Sequence, residues 1–374
     1  MAQTEVSPFR IEVPDAVLDD LRARLAAARS ASPPILDGGE QPATIQRIEE
    51  LLAFWRDGFD WRATERRLNA FPQFRATVDG VGLHFIHIRG VGANPLPLLL
   101  TNGWPSTFVE YLGVLGPLTQ AGFCVVVPAL PGFGFSDRCL DRPLSRSQLA
   151  DLFDGLMVDV LGYRNYVAHG DDIGGKVVSR LGIQHAGSVR AIQTANWFTL
   201  PIPEEHLDDA ERAYRLADAT WGQDHGAYAH VQATRPQTLT YALNDSPAGL
   251  AAWILEKFLT WSDPATRGFS DEDLLTTVMI YWYTQTIGSS VRHYALHDGV
   301  RDEPRPVPVP ASVLVPNEPD LPAPPESGLR RAYPQLYRHR RLDRGGHFLA
   351  LEAPETFVAE IIAAFADYLP RRPG

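Results

Sequence analysis

A carboxylate between closely spaced glycines is the first candidate for chemistry in this chain. Segment 169–175 reads His-Gly-Asp-Asp-Ile-Gly-Gly. A nucleophile on a tight strand-to-helix turn needs small residues two positions before and two after it. Gly170 and Gly174 meet this need around Asp172, whereas the neighbouring Asp171 has large flanks. Asp172 would thus form an ester intermediate, although the segment also fits a glycine-rich turn in which Asp caps a helix.

A Gly-x-Pro turn supplies candidate donors for an oxyanion. Segment 99–105 reads Leu-Leu-Thr-Asn-Gly-Trp-Pro, an apolar run that ends in this turn. In hydrolases with such a nucleophile turn, one N–H group comes from an early strand–helix loop and another from the residue after the nucleophile. The two donors would be the backbone N–H groups of Trp104 and Ile173. An isolated Gly-x-Pro turn is more often an ordinary loop.

A late histidine is the candidate general base. His347 follows two glycines, and it comes after Asp172 as the order nucleophile, acid, base requires. The acid that orients it should follow a predicted strand at 312–315. Glu318 and Asp320 both stand there, and their positions do not separate them, because surface loop carboxylates are common.

The elements that would position these residues are short apolar runs bounded by Gly and Pro, which is typical of buried parallel strands. Helix-like segments lie between them, so the pattern predicts an α/β fold with a mostly parallel sheet. In such a sheet, ligands collect beyond the carboxyl ends of the strands. The predicted strands are 81–88, 96–101, 123–127, 165–169, 190–194 and 312–315.

Changes of pattern divide the chain into four predicted regions. Residues 1–78 are interpreted as a helical, peripheral meander that wraps the core, with a loop over 30–44. Residues 79–197 and 306–374 form the two parts of the core. Residues 198–305 are helical and rich in aromatic side chains, so we expect a cap inserted over the carboxyl edge of the sheet.

Composition limits the classes of partner. The 374 residues carry a net charge of −11, so nucleic acid is an unexpected partner. The two cysteines make no disulfide framework, and no spacing typical of zinc ligands occurs. The first residues have no apolar signal segment, and no run is long enough for a membrane span. We therefore expect a cytoplasmic protein without a membrane anchor; the sequence admits a homodimer.

Longer segments carry a family resemblance. Segments 54–62, 67–74, 84–87, 229–253 and 281–294 extend it over nearly the whole chain. On these segments and the turns above, the chain resembles the microsomal-type epoxide hydrolases, which combine an N-terminal meander with an α/β-hydrolase fold and a helical cap.

The resemblance implies a role for each candidate. Asp172 would attack an epoxide carbon, while Tyr228 and Tyr294 would protonate the epoxide oxygen. A tyrosine suits this because its ordinary pKa is about 10. His347 would then activate water to hydrolyse the ester, and the resemblance places Glu318 slightly ahead of Asp320 as its partner. No cofactor is implied.

Two departures from the family pattern bear on the substrate. Asn102 stands where the family usually has His, and Ile173 stands where it usually has Trp. Ile173 should enlarge the cavity beside the nucleophile, and Asn102 should alter support of the oxyanion loop. With the aromatic cap, this favours a bulky lipophilic or aromatic epoxide.

Other readings use the same residues. A dehalogenase or a biosynthetic enzyme that opens or rearranges epoxides would keep the Asp nucleophile, although paired tyrosines argue against dehalogenation. A non-catalytic ligand-binding homologue would keep only the fold. A serine esterase is disfavoured because the chain has no G-x-S-x-G turn.

Overall fold

One nine-stranded sheet forms the centre of the protein. The computed structural model describes residues 5–29, 42–141, 144–266, 268–295 and 304–370. The sheet order is β1-β2-β3-β5-β4-β6-β7-β8-β9. The strands are Ser7–Phe9 (β1), Gln73–Val78 (β2), Val81–Ile88 (β3), Leu96–Thr101 (β4), Phe123–Pro128 (β5), Tyr166–Gly170 (β6), Val189–Thr194 (β7), Ala311–Val315 (β8) and Leu336–Arg341 (β9).

The sheet is parallel from β5 to β9 and antiparallel from β1 to the β3–β5 pair. Strands β5 and β6 are buried along their whole length, as expected for central strands covered by helices on both faces. Parallel strands end at one edge, so the loops after β4, β6 and β8 meet there.

Fifteen α-helices are described in these ranges. They are Asp15–Ala26 (α1), Pro42–Asp57 (α2), Trp61–Leu68 (α3), Leu112–Gln120 (α4), Arg146–Gly155 (α5), Asp172–Gln184 (α6), Asp209–His225 (α7), Ala227–Thr234 (α8), Pro236–Asp245 (α9), Pro247–Trp261 (α10), Asp271–Thr284 (α11), Ile287–Ser290 (α12), Glu326–Ala332 (α13), Leu349–Glu352 (α14) and Pro354–Phe365 (α15). Short 3-10 helices include Phe108–Tyr111 and Val291–Tyr294, and a π-helical turn, Leu156–Val160, follows α5.

Helices α7–α12 and the 3-10 helix Val291–Tyr294 enter between β7 and β8, and we call them the helical insertion. Helix α10 packs against α2 and α11. Its inner side chains, Leu250, Ile254 and Phe258, recur every four residues and are at most 1% exposed, so the helix buries one apolar stripe. The N-terminal helices therefore pack on the insertion.

The predicted α/β class is confirmed, and the six predicted strands are present as β3 to β8, with ends that differ by at most one residue. Three strands were missed. The interpretation of residues 1–78 as helical overlooked β1 and β2, and 312–315 is not the last strand, because β9 follows. Residues 30–41 of the predicted loop lie outside the described ranges, and α2 already begins at Pro42.

Where the chain is described, no helix combines the length and apolarity needed to cross a membrane.

Candidate active site

Asp172 stands on the turn where β6 passes into α6. Its φ of 45° lies in the left-handed region, which is unusual for a residue with a side chain and typical of strained functional positions. The flanking glycines permit the turn: a Cβ atom on Gly170 would lie 2.3 Å from the Gly174 carbonyl oxygen, and one on Gly174 would lie 2.1 Å from that of Thr101. The glycine spacing thus reflects a steric need.

Two backbone N–H groups bind the same oxygen of Asp172. Trp104 N donates to Oδ1 at 2.9 Å, and Ile173 N donates to it at 2.6 Å. These are the two donors that the sequence predicted. Asn102 is buried, and its carbonyl accepts from Gly174 N at 3.1 Å. This bond ties the loop after β4 to the nucleophile turn.

His347 lies on the loop after β9 and faces two carboxylates. Its Nδ1 is 2.7 Å from Glu318 Oε2, and its Nε2 is 3.7 Å from Asp172 Oδ2. The side chain of Glu318 is only 4% exposed. Asp320 does not share this position. Its φ of 59° marks a turn, and its carboxylate is 73% exposed and faces His225 at 3.9 Å.

The charges around His347 favour its protonated form. Burial by itself would lower the pKa of His347, but Glu318, through charge and hydrogen bond, and the charges of Asp172 and Asp171 outweigh it and raise the pKa to about 10. At neutral pH the imidazole is therefore an imidazolium.

The loop that carries His347 is held by residues that sequence reasoning missed. Glu352 accepts hydrogen bonds from the backbone N–H groups of Gly346, Phe348 and Asp263, each at 2.8 Å. The His347 N–H donates to the Trp261 carbonyl at 3.1 Å. A glutamate inside the apolar run 349–353 was the available signal, because a charged residue at such a position needs buried partners.

The structure brings Tyr228 and Tyr294 of the helical insertion together on the wall of the cavity that Asp172 also lines. Their ring centroids are 5.8 Å apart, and the two hydroxyl groups are hydrogen-bonded to each other. Trp104 stacks on Tyr228 at 5.6 Å and meets Tyr294 edge-on at 6.1 Å. One aromatic cluster thus includes both tyrosines and Trp104, whose backbone N–H group donates to Asp172.

The two phenols retain their protons. Burial, followed by the charge of Asp172, raises the pKa of Tyr228 above its ordinary range. Burial also raises the pKa of Tyr294, with Tyr228 and Asp172 acting in the same direction and Arg146 lowering it. Both hydroxyls are therefore available as proton donors at neutral pH.

A pair of buried carboxyls, Asp171 and Glu110, lies next to Asp172. Asp171 Oδ2 accepts a hydrogen bond from the Tyr111 hydroxyl at 2.9 Å, and Asp171 also bonds the carboxyl of Glu110. Glu110 is 1% exposed. Burial is the largest cause that raises the pKa of both carboxyls. The charge of Asp171 adds to the rise for Glu110, and the charge of Asp172 adds to the rise for Asp171. The pair consequently holds a proton at neutral pH.

These groups open onto one cavity of about 350 Å³. Its walls include Asp172, Tyr228, Tyr294, Glu318 and His347, and Lys176 and Asp218 also line it. The described residues contain no cluster of three or more side chains suited to a metal ion. The arrangement provides a carboxylate, two acids and an imidazole around one space, which suits ring opening followed by ester hydrolysis.

Two family models match the chain. The model described as "Epoxide hydrolase N terminus" covers residues 6–111, and the model "alpha/beta hydrolase fold" covers residues 97–237. The first includes the Trp104 donor, and the second includes Asp172.

Relatives match over nearly the full length. A Stigmatella aurantiaca protein, whose name assigns it provisionally to the epoxide hydrolases, is 36% identical over 96% of this chain and 84% of its own. Epoxide hydrolase 1 of Oryctolagus cuniculus is 31% identical over 95% of this chain and 88% of its own. The juvenile hormone epoxide hydrolase structure from Bombyx mori has a TM-score of 0.86 and 28% identity, covering 98% of this chain and 95% of that one. An Aspergillus niger epoxide hydrolase structure has a TM-score of 0.84 and 28% identity, covering 99% and 98%.

Proposed function

The chain belongs to the epoxide hydrolase family and is an epoxide hydrolase, and we propose that it opens its substrate through a covalent ester on Asp172. One observation carries this proposal. Asp172 Oδ1 accepts both backbone N–H bonds, so Oδ2 is left to face His347 Nε2 at 3.7 Å. Both atoms belong to residues that line the cavity. An oxygen held in this way is oriented for attack on a bound carbon.

In the first half-reaction, Asp172 Oδ2 attacks an epoxide carbon. A carboxylate C–O bond forms, the epoxide C–O bond breaks, and its electron pair passes to the ring oxygen. Tyr228 and Tyr294 hydrogen-bond this oxygen and supply its proton. Because the pKa of each phenol is raised, the acids are intact when substrate arrives.

In the second half-reaction, His347 changes role. Esterification removes the negative charge of Asp172, which contributes to the pKa of about 10. The pKa of His347 therefore falls, and the imidazolium can return a proton to the phenolate left by the first half-reaction. The neutral imidazole then takes a proton from water. Hydroxide adds to the ester carbon, and Trp104 and Ile173 stabilise the oxyanion on Oδ1. On collapse the ester C–O bond breaks and the departing diol oxygen takes the proton of the added hydroxyl, which restores the Asp172 carboxylate. Glu318 holds the imidazole ring throughout.

The substrate we propose is a lipophilic or aryl epoxide of moderate size. The rings of Tyr228, Trp261 and Trp221 line the cavity of about 350 Å³, which supports an apolar body. Lys176 and Asp218 on its wall would tolerate a polar substituent.

Single-turnover reaction in ¹⁸O-water tests the ester route, after a panel of aryl and alkyl epoxides identifies a substrate. We expect unlabelled diol in the first turnover, because its new oxygen comes from Asp172. His347→Gln should accumulate a substrate adduct on the peptide that contains Asp172. His225→Gln is the matched control, since His225 is an exposed histidine outside this cavity, and it should turn over normally. Label in the first diol and absence of an adduct would overturn the proposal.

A further inference from the structure

A buried lysine lies behind Tyr228, outside the cavity lining. Lys257 on α10 is 8% exposed. Its Nζ is 4.7 Å from the ring centroid of Tyr228, 5.7 Å from that of Trp261 and 5.9 Å from that of Trp253. An ammonium group at these distances interacts favourably with aromatic rings. Its ion-pair partner is the adjacent Glu256.

A second buried cation lies beside Tyr294. Arg146, the first residue of α5, is 8% exposed and lines the same cavity. One of its Nη atoms donates to the carbonyl oxygen of His293 at 3.0 Å. This bond joins the core to the 3-10 helix that ends at Tyr294. Each proton-donating tyrosine thus has one buried cation next to it, from two different elements.

Ring opening changes where negative charge is located. Before attack the charge is on Asp172, and afterwards it is on the former epoxide oxygen and the phenol that donates to it. Both tyrosines are buried, and burial disfavours a phenolate. A cation that is already in place stabilises such a charge without reorganisation.

We propose that Lys257 and Arg146 are positioning residues. Their positive charges stabilise the negative charge that Tyr228 and Tyr294 share with the oxygen of the opening epoxide. The proposal rests on the proposed function above, because it assigns these cations to the ester-forming step. Lys257 acts through Tyr228. Arg146 acts through Tyr294 and holds its helix.

The neighbouring Glu256 provides a discriminating variant. Its carboxylate pairs with Lys257, and its charge acts to raise the pKa of Tyr228, after the larger effects of burial and Asp172. Glu256→Gln removes this opposing charge but leaves the ammonium group. A role of the ion pair in folding alone would make Glu256→Gln and Lys257→Met equally harmful, whereas a role of the cation would harm only the second.

The experiment measures ester formation and ester hydrolysis separately by rapid quench. Lys257→Met should slow ester formation about 10-fold to 100-fold and leave ester hydrolysis within about 3-fold. Lys257→Arg should recover most of the rate, and Glu256→Gln should equal or exceed the unaltered enzyme. Should Lys257→Met not fold, Lys257→Gln replaces it with the same expected result.

Arg146→Met is tested against Arg292→Met. Arg292 lies on the same 3-10 helix, and it bonds Gln237 and the Leu140 carbonyl from the exposed side. Arg146→Met should slow ester formation as Lys257→Met does, and Arg292→Met should not.

A purely structural role of Lys257 would not change how the rate of ester formation depends on the basicity of the alkoxide that forms. 1,2-Epoxyhexane and its 3,3-difluoro analogue differ in the stability of the alkoxide that each releases. The rate penalty of Lys257→Met should be at least about 3-fold smaller for the fluorinated substrate. Equal penalties, or equal slowing of both half-reactions, would overturn the inference. If the unaltered enzyme forms no ester at all, the proposed function fails instead.

Discussion

The two sides of the cavity are built differently. On the core side, hydrogen bonds to backbone N–H groups fix Asp172, and a 2.7 Å contact with Glu318 fixes His347. On the insertion side, ring packing positions the tyrosines: Tyr228 contacts Trp104 at 5.6 Å and Tyr294 at 5.8 Å. The core side therefore holds single atoms in place, whereas the insertion side holds a pair of equivalent groups. Loss of Asp172 on the core side should therefore abolish ester formation, whereas loss of one tyrosine on the insertion side should only slow it.

The largest expected effect is loss of the nucleophile. Asp172→Ala leaves no oxygen to attack the epoxide, so ester formation should fall by at least about 10⁴-fold. Diol formation is the measurement. Asp171→Asn is the matched control, because it changes the adjacent buried carboxyl, and its effect should be far smaller. Comparable losses in the two variants would contradict the assignment of Asp172.

Removal of the two tyrosine hydroxyls should reduce the rate of ester formation in two steps. Tyr228→Phe or Tyr294→Phe removes one donor and leaves the other, so each should slow ester formation about 10-fold to 100-fold, and the double variant should lose about 10³-fold or more. Tyr214→Phe controls for loss of a cavity phenol, because its hydroxyl instead accepts from Trp197 Nε1 at 2.9 Å. A single tyrosine variant as inactive as Asp172→Ala would show that the two phenols do not substitute for each other.

The same contrast explains what the sequence could predict. Local spacing alone predicts Asp172, Trp104 and Ile173 as candidates, because steric limits at a tight turn apply over a few residues. Tyr228 and Tyr294 came only from the family resemblance. Their positions depend on how helices pack, and no short-range pattern encodes that.

Charged residues explain why the sequence does not reveal β9 and two buried side chains. Strand β9 contains Arg338 and Arg340, which pair with Glu360 at 2.6 Å and 3.7 Å, and such charges are typical of an edge strand. Its sequence therefore looked like a solvated segment. Lys257 and Glu352 are missed for a related reason: an analysis of hydrophobic periodicity assigns charged residues to the surface. The choice between Glu318 and Asp320 needed the backbone turn at Asp320.

That choice predicts an intermediate effect on the core side. Glu318→Gln keeps an oxygen near His347 Nδ1 but removes the charge that stabilises the imidazolium, so ester hydrolysis should slow about 10²-fold and the ester should accumulate. Asp320→Asn, at an exposed carboxylate, should stay within about 2-fold of the unaltered rate. The ester level is read from intact-protein mass after quenching. Accumulation of the ester in Asp320→Asn would instead assign Asp320 as the carboxylate that acts with His347.

The smallest expected effect concerns the buried carboxyl pair of Asp171 and Glu110, next to Asp172. Here the core side buries a carboxyl group at a cost to stability. The pKa of Asp171 is raised, chiefly by burial, so the folded protein retains a proton that the unfolded chain releases at lower pH. This contribution destabilises the fold as pH rises above the ordinary range of Asp, until the folded-state pKa is passed. In Asp171→Asn, the amide oxygen can still accept from Tyr111, and its N–H group can donate to Glu110. The free energy of unfolding should therefore exceed that of the unaltered protein by about 1–2 kcal/mol at pH 8 and by much less at pH 4. Urea unfolding at both pH values measures this, and lower stability of the variant at pH 8 would show that the buried charge is compensated.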